Sequence, residues 1–325
     1  MAWLRERLAG AGGTLAEDGA GNLIWRWGAG DPRVVVAAHV DTAFPAETPL
    51  DARREGDALV GPGVGDNAAA VALAVHVVEP LVGAGRLGPG AVAFTVGEEG
   101  LGNLRGAIAV AAAWPRAAFV ALEGHGLEHV LVDAVGSVRA RVEVEGPGGH
   151  SWVDRGGPSA IHALLDLGRG LTALGTPETP VNIGRLAGGT AVNAIAARAE
   201  LTVEMRALDE AALEDFASAL GRLSAPAPLR VAARVLGRRP AGRLPREDPL
   251  LAAARAARAE AGLPDALDAG STDAAAALAR GMSAICIGAT TGSGMHTPGE
   301  RIDIPGLALG WAQLEGLLLR LLAPA

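Results

Sequence analysis

The chain has 325 residues, half of them hydrophobic and a fifth charged, with a formal net charge of −8. That length supports two or three domains around a large core, and the composition excludes a disordered or fibrous class. The acidic balance argues against nucleic acid and anionic membranes as partners.

All 28 basic residues are arginines, and there is no tyrosine. A single cysteine, Cys286, cannot close an intramolecular disulfide, which fits a reducing, cytoplasmic compartment. It lies in the apolar run 284–287 and reads as a core residue rather than a nucleophile. The start, MAWLRERLAGAGG, carries charge in its first turn, so no secretory signal is expected. No apolar run approaches the roughly 20 residues that cross a bilayer.

In chain order, residues 3–9 predict a helix and 22–27 a strand. Residues 33–41, RVVVAAHVD, form an apolar run ending in His39 and Asp41, as expected of a buried parallel strand with chemistry at its carboxyl end. The pair suits a metal ligand with an orienting carboxylate; a polar turn after a strand is the rival reading. A polar loop follows over 42–56. Then GPGVGDN sets Asp66 and Asn67 at the start of an apolar helix over 68–78. A phosphate-cradling loop would need the Lys-Ser/Thr that is absent here.

Strands over 91–96 and 119–122 end in Glu98-Glu99 and in Glu123-Gly-His125, respectively. Three apolar strands therefore finish in acids or histidine, although buried charges need partners. From about residue 136 the pattern becomes strand 137–145, helix 158–174, strands 181–186 and 194–205, helix 209–223 and strand 229–235. That β-α-β-β-α-β order predicts a ferredoxin-like insert, with 238–248 as the return linker. Helix 249–261, a loop over 269–273 leading into a helix, strand 283–288, a loop over 292–300 and helix 307–322 complete the chain. The expected organisation is α/β: catalytic residues 1–135 and 239–325 around an insert at 136–238.

His39, Asp66, Glu98, Glu99, Glu123 and His296 make up the ligand types that zinc and its neighbours prefer. Five ligands with one bridging carboxylate could hold two ions, leaving a further acid as general base. Glu98 and Glu99 as a sugar-hydrolysing pair is disfavoured, because adjacent residues on an extended chain point apart. His76 and His162 sit in predicted helices and read as packing or surface residues. His125, beside Glu123, reads as a local turn contact, with a supporting position behind a metal ligand as the alternative.

The blocks AAHVDTAFP, GPGVGDNAAAVA, GEEG, EGHG, GPGGHSW, GGTAVNAIAARAELTVEMR and MHTPGE occur in order across 36–300. On them the chain resembles the dinuclear zinc hydrolases that include aminoacylase, glutamate carboxypeptidase, acetylornithine deacetylase, succinyl-diaminopimelate desuccinylase and the tripeptidases. The wording HVDTAFP, GEEGLG and GMHT is most similar to tripeptidase-like members. The resemblance implies a three-layer zinc-exopeptidase catalytic domain with a mainly parallel sheet, the insert serving as lid and dimerisation domain.

It further implies two divalent ions, zinc with cobalt or manganese as alternatives, bridged by Asp66. His39 and Glu123 would complete one site, and Glu99 and His296 the other. Glu98 would be the catalytic carboxylate that activates a metal-bridging hydroxide, and Asp41 the acid that hydrogen-bonds His39. Asp66–Asn67 would be a candidate for a non-proline cis peptide. His150 would stabilise the oxyanion across a homodimer interface, and Asn193 and Arg206 would hold a substrate carboxylate. For Arg206 the residues alone equally allow a strand-end surface arginine. Gly270 and Ser271 would lie near substrate. The implied activity is exopeptidase action on small peptides, with N-acyl amino acid deacylation, as of acetylornithine, as the alternative. A non-catalytic binding protein on this fold is the remote reading, and the filled ligand positions argue against it.

Overall fold

The computed structural model describes residues 1–324. It divides into two compact units, Met1–Ala134 with Arg243–Ala325, and Val135–Gly242.

The first unit is built on a nine-stranded sheet. Its first seven strands lie in the order Thr14–Glu17, Leu23–Trp27, Gly90–Thr95, Val34–His39, Ala118–Glu123, Ala284–Gly288, Val130–Ala134. The middle four are parallel to one another. Antiparallel pairs flank them on both sides. Val34–His39, Gly90–Thr95 and Ala284–Gly288 are buried at every position. Such runs need apolar residues on both sides of the pleat, which is why they read as continuous rather than alternating.

Two helix groups cover this sheet: Ala70–Gly83 and Pro249–Glu260 against Gly306–Leu321, and Arg105–Ala113 against Ala274–Leu278. Phe94, Phe119 and Trp25 are fully buried in the resulting core, each worth about 1.5–3 kcal/mol of apolar transfer. Pro249 begins its helix, where a missing N–H costs nothing, and Asp248 caps it by accepting the Leu250 N–H at 2.8 Å.

The second unit runs Gly136–Glu145, Ala160–Thr172, Val181–Gly188, Arg198–Ala207, Glu210–Gly221 and Arg230–Arg239. Its four main strands form a sheet in the order Val181–Gly188, Arg198–Ala207, Gly136–Glu145, Arg230–Arg239, with every neighbouring pair antiparallel. This is a β-α-β-β-α-β sandwich. Alternation puts Val138, Ala140, Val142, Leu201 and Val203 on the inner face, against Leu164, Leu213 and Phe216 of the two helices.

Several elements differ from expectation. Strands Thr14–Glu17 and Arg53–Glu55 are mostly exposed, so no apolar run marks them; the second is held by pairing with Ala58–Val60. Val130–Ala134 and Arg105–Ala113 are further elements that no expectation covered. The expected linker at 238 begins too early, because strand Arg230–Arg239 continues to a buried Arg239. The expectation about apolar runs also needs correction. Val64–Gly83 is a helical stretch of 20 residues, apolar enough by length and composition to cross a membrane. It is 61% buried inside the fold and its first turn carries Asp66, which makes it a core helix here.

Candidate metal centre

Neighbouring parallel strands bring their carboxyl ends to one edge of the sheet. His39 and Glu123 are the last residues of Val34–His39 and Ala118–Glu123. Glu98 and Glu99 follow Gly90–Thr95 by three and four residues. Asp66 enters from the turn Val64–Ala69, where Asp66 and Asn67 leave helical geometry and are joined by a cis peptide. His296 comes from a loop and has a left-handed backbone, φ 62°.

Asp66 stands between two sets of donors. Its Oδ1 lies 3.0 Å from His39 Nε2, which is 3.4 Å from Glu123 Oε2. Its Oδ2 lies 3.0 Å from His296 Nε2, which is 3.5 Å from Glu99 Oε1. In each set, His39–Asp66–Glu123 and Asp66–Glu99–His296, the ligand atoms lie within 4.8 Å of one another. Ligands about 2.0–2.1 Å from a tetrahedral ion sit roughly 3.3 Å apart, so the observed separations fit a shared ion in each set. Glu99 Oε1 is buried and makes no hydrogen bond, as suits an atom whose partner is a cation.

The electrostatics follow from the crowding. Burial works against a charged His39 ring, yet Glu123, Asp66 and Glu98 outweigh it and push its pKa well up. Burial also opposes ionisation of Asp66, but the two histidines hold its carboxyl below the usual range. Burial, followed by the neighbouring Asp66 charge, raises Glu99.

Asp41 behaves differently from expectation. The His39 Nδ1–H donates to the Asp41 backbone carbonyl at 3.0 Å, while the nearest Asp41 carboxylate oxygen is 3.8 Å from that nitrogen. The carboxylate instead accepts the N–H groups of Gly97, Glu98 and Glu99 at 2.9, 3.2 and 2.9 Å. A carboxylate satisfied by three amides is a strong anchor, so Asp41 fixes the Glu98-Glu99 segment and orients His39 through the main chain. Cys286 is buried in its strand and burial pushes its thiol well up, which suits a packing role.

Gly270 ends strand Leu267–Gly270, and a Cβ there would lie 2.6 Å from the Leu131 side chain. Three residues on, Asp273 is fully buried and bonded to Thr95 Oγ1 at 2.5 Å; Thr95 is the cross-strand partner of His39. Burial raises the Asp273 carboxyl from 3.8 to about 6. A raised carboxyl pKa favours the folded state fully below pH 3.8, and that contribution is lost as pH rises through 6. In the metal-free protein the ionised group then costs about 3 kcal/mol. Asp273→Asn is expected to raise the Tm of metal-free protein by several degrees at pH 8 relative to its effect at pH 4. Thermal unfolding at the two pH values measures this, and equal shifts would refute it.

His150, Asn193 and Arg206 belong to the second unit. Gly149–His150 pairs with Ala194–Ile195, and the Ser151 N–H donates to the Asn193 carbonyl at 3.0 Å. His150 Nδ1 accepts the N–H groups of Trp152 and Val153 at 3.2 and 3.3 Å. In the neutral ring the proton therefore sits on Nε2, leaving a donor on the exposed side chain. The Arg206 side chain is 43% exposed, and Glu204 accepts its Nε–H at 2.7 Å. This is the arrangement of a strand-end arginine with an acidic neighbour.

Sequence reasoning missed Glu300 and undervalued His125. The Glu300 carboxylate is completely buried and accepts the N–H groups of Gly63, Gly65 and Asp66 at 2.8, 3.1 and 2.7 Å. It also accepts from His125 Nε2 at 2.7 Å. The signal available was the last letter of MHTPGE and the histidine of EGHG. His76 and His162 are exposed on their helices.

At its strand ends this α/β unit carries two histidine–carboxylate sets that share one aspartate and have the spacing to hold metal. The chain belongs to peptidase family M20/M25/M40, whose sequence pattern matches residues 35–320. It is similar to an M20-domain-containing protein of Schizosaccharomyces pombe, 33% identical over 190 residues, 55% of this chain and 46% of that protein. The aligned part therefore spans less than half of that relative's length. Among solved structures it resembles a tripeptidase from Staphylococcus aureus, with a TM-score of 0.82 at 20% identity over 99% of this chain and 92% of that one. It also resembles the aminopeptidase PepT from Bacillus cereus, with a TM-score of 0.80 at 22% identity over 98% and 92%. These likenesses establish the large, mainly parallel α/β fold.

Proposed function

We propose that the protein is a metal-dependent exopeptidase that hydrolyses an amide bond in small peptides. The observation that carries this is Asp66, whose two carboxylate oxygens face two separate histidine–glutamate sets. Family membership and the peptidases among its structural neighbours support the same reading.

Two divalent ions, zinc or else cobalt or manganese, would supply Lewis acidity toward the amide carbonyl and acidify water. His39, Asp66 and Glu123 would hold one ion, and Asp66, Glu99 and His296 the other. Glu98, buried and with its backbone N–H fixed by Asp41, takes a proton from water on its carboxylate and returns it to the leaving nitrogen. Across a homodimer interface, the His150 Nε2–H of one protomer would donate to the oxyanion developing in its partner. Arg206 and Asn193 bind the substrate carboxylate, for which a planar guanidinium is suited, and Gly270 and Ser271 lie along the substrate path. The 135–242 unit acts as a lid and dimerisation domain. Trp152, Val153 and Val192 are 74%, 70% and 103% exposed on the segments that carry His150 and Asn193, which supports a homodimer. A lone buried cysteine supports a cytoplasmic location.

The test is elemental analysis with activity before and after chelation, on di- and tripeptides and N-acetyl amino acids. Two ions per chain with chelator-sensitive peptide cleavage is the expected result. Cleavage confined to N-acetyl amino acids would make it a deacylase. No bound metal and no cleavage after added zinc or cobalt would overturn the hydrolase reading.

A further inference from the structure

The candidate ligands come from segments far apart in the chain, so something must fix those segments against one another. Three of them meet at one buried contact. His125 lies two residues beyond Glu123, Glu300 four residues beyond His296, and both touch the turn that carries Asp66. Glu300 Oε1 accepts from His125 Nε2 and from the Asp66 N–H, each at 2.7 Å, while Oε2 takes the Gly63 N–H at 2.8 Å. The Gly61 N–H donates to the Glu300 carbonyl at 2.8 Å, closing the same turn from the main-chain side.

The contact is close enough to dictate its neighbours. A Cβ on Gly65 would lie 2.1 Å from His125 Nε2, and one on Gly124 would lie 1.8 Å from the Gly65 carbonyl oxygen. Neither site can hold a side chain without moving the turn. Glu300 is completely buried, and its hydrogen bonds account for its charge; a carboxylate so placed is costly unless every lone pair is used.

We infer that the His125–Glu300 pair is a positioning device for the metal centre, fixing Asp66, Glu123 and His296 in the spacing that two ions require. This rests on the metallo-hydrolase reading of the site. Neither residue is placed among the ligands: Glu300 spends its oxygens on the turn, and His125 spends its Nε2–H on Glu300. Partners that orient ligands in this indirect way are commonly worth 10–100-fold in metal affinity.

The test uses full-length protein stripped by chelator and titrated with cobalt(II), read by calorimetry and by the visible cobalt spectrum. His125→Leu removes the donor and is expected to weaken cobalt binding 10–100-fold and alter the spectrum, with the circular dichroism of the metal-free protein unchanged. His125→Gln places an amide N–H near the lost Nε2–H and is expected to recover most of the affinity. Glu300→Gln, which sets an NH2 group against backbone N–H donors, is expected to weaken binding at least as far. Native protein that binds two ions, with His125→Leu binding them equally well, overturns the positioning role alone. Native protein that binds none overturns the metal reading and this inference with it. Unfolding of both His125→Leu and Glu300→Gln also overturns it, because the pair would then serve the fold rather than the ligand spacing.

Discussion

Glu98→Gln is expected to lower kcat by about 10^2–10^4-fold while leaving two ions bound per chain. The argument rests on the difference between two adjacent glutamates. Glu99 belongs to a ligand set with Asp66 and His296. Glu98 belongs to neither set, yet it is buried to 7% and its charge is felt at the His39 ring. Both backbone N–H groups are tied to the Asp41 carboxylate, which fixes where the two side chains diverge. Glutamine keeps the shape and removes the basic oxygen, so proton transfer is lost and metal retention is not. Glu99→Gln, by contrast, is expected to deplete one ion. Steady-state kinetics beside elemental analysis of the two variants reads the distinction. A Glu98→Gln protein that loses an ion, or keeps native kcat, would remove Glu98 from the proton-transfer role.

This pair also shows how far the sequence reaches. The strands that matter most were readable because they are buried on both faces: VVVAAH and GAVAFT have no polar residue until the sheet edge, and that edge is where the chemistry lies. The alternating strands and amphipathic helices of 135–242 were readable by period. Which strand-end acids act together was not. Spacing cannot show that residues 39, 66, 99, 123 and 296 meet, and the grouping came from the resemblance of seven ordered blocks. Asp41 illustrates the limit in the other direction. The sequence places it beside His39, but whether its carbonyl or its carboxylate meets the ring depends on three amides from residues 97–99 that compete for the carboxylate. The Glu300–His125 contact was hidden because it joins positions 175 residues apart, and the glycines that permit it look like ordinary loop glycines.

Asp66→Ala is expected to abolish activity and empty both metal sites at once, whereas His39→Ala and His296→Ala each empty one first. The asymmetry follows from the geometry. Oδ1 and Oδ2 of the same carboxylate each lie 3.0 Å from a different histidine Nε2, so a single truncation removes a ligand from both sets. Each histidine belongs to one set only. Losing a supporting hydrogen bond near a metal costs 10–100-fold in affinity, and losing a direct, shared ligand should exceed about 100-fold at both positions. Metal-free Asp66→Ala is expected to fold, because the anchor of its turn is the Asp66 backbone N–H held by Glu300, which the substitution leaves in place. Calorimetric titration of the three chelator-stripped variants with zinc would read stoichiometry directly at a concentration where native protein binds two. Counts near zero for Asp66→Ala and near one for each histidine variant are the expected pattern. One ion retained by Asp66→Ala at native affinity would mean that the two sets do not share this carboxylate, and the two-ion site would have to be redrawn around Glu99 or Glu123.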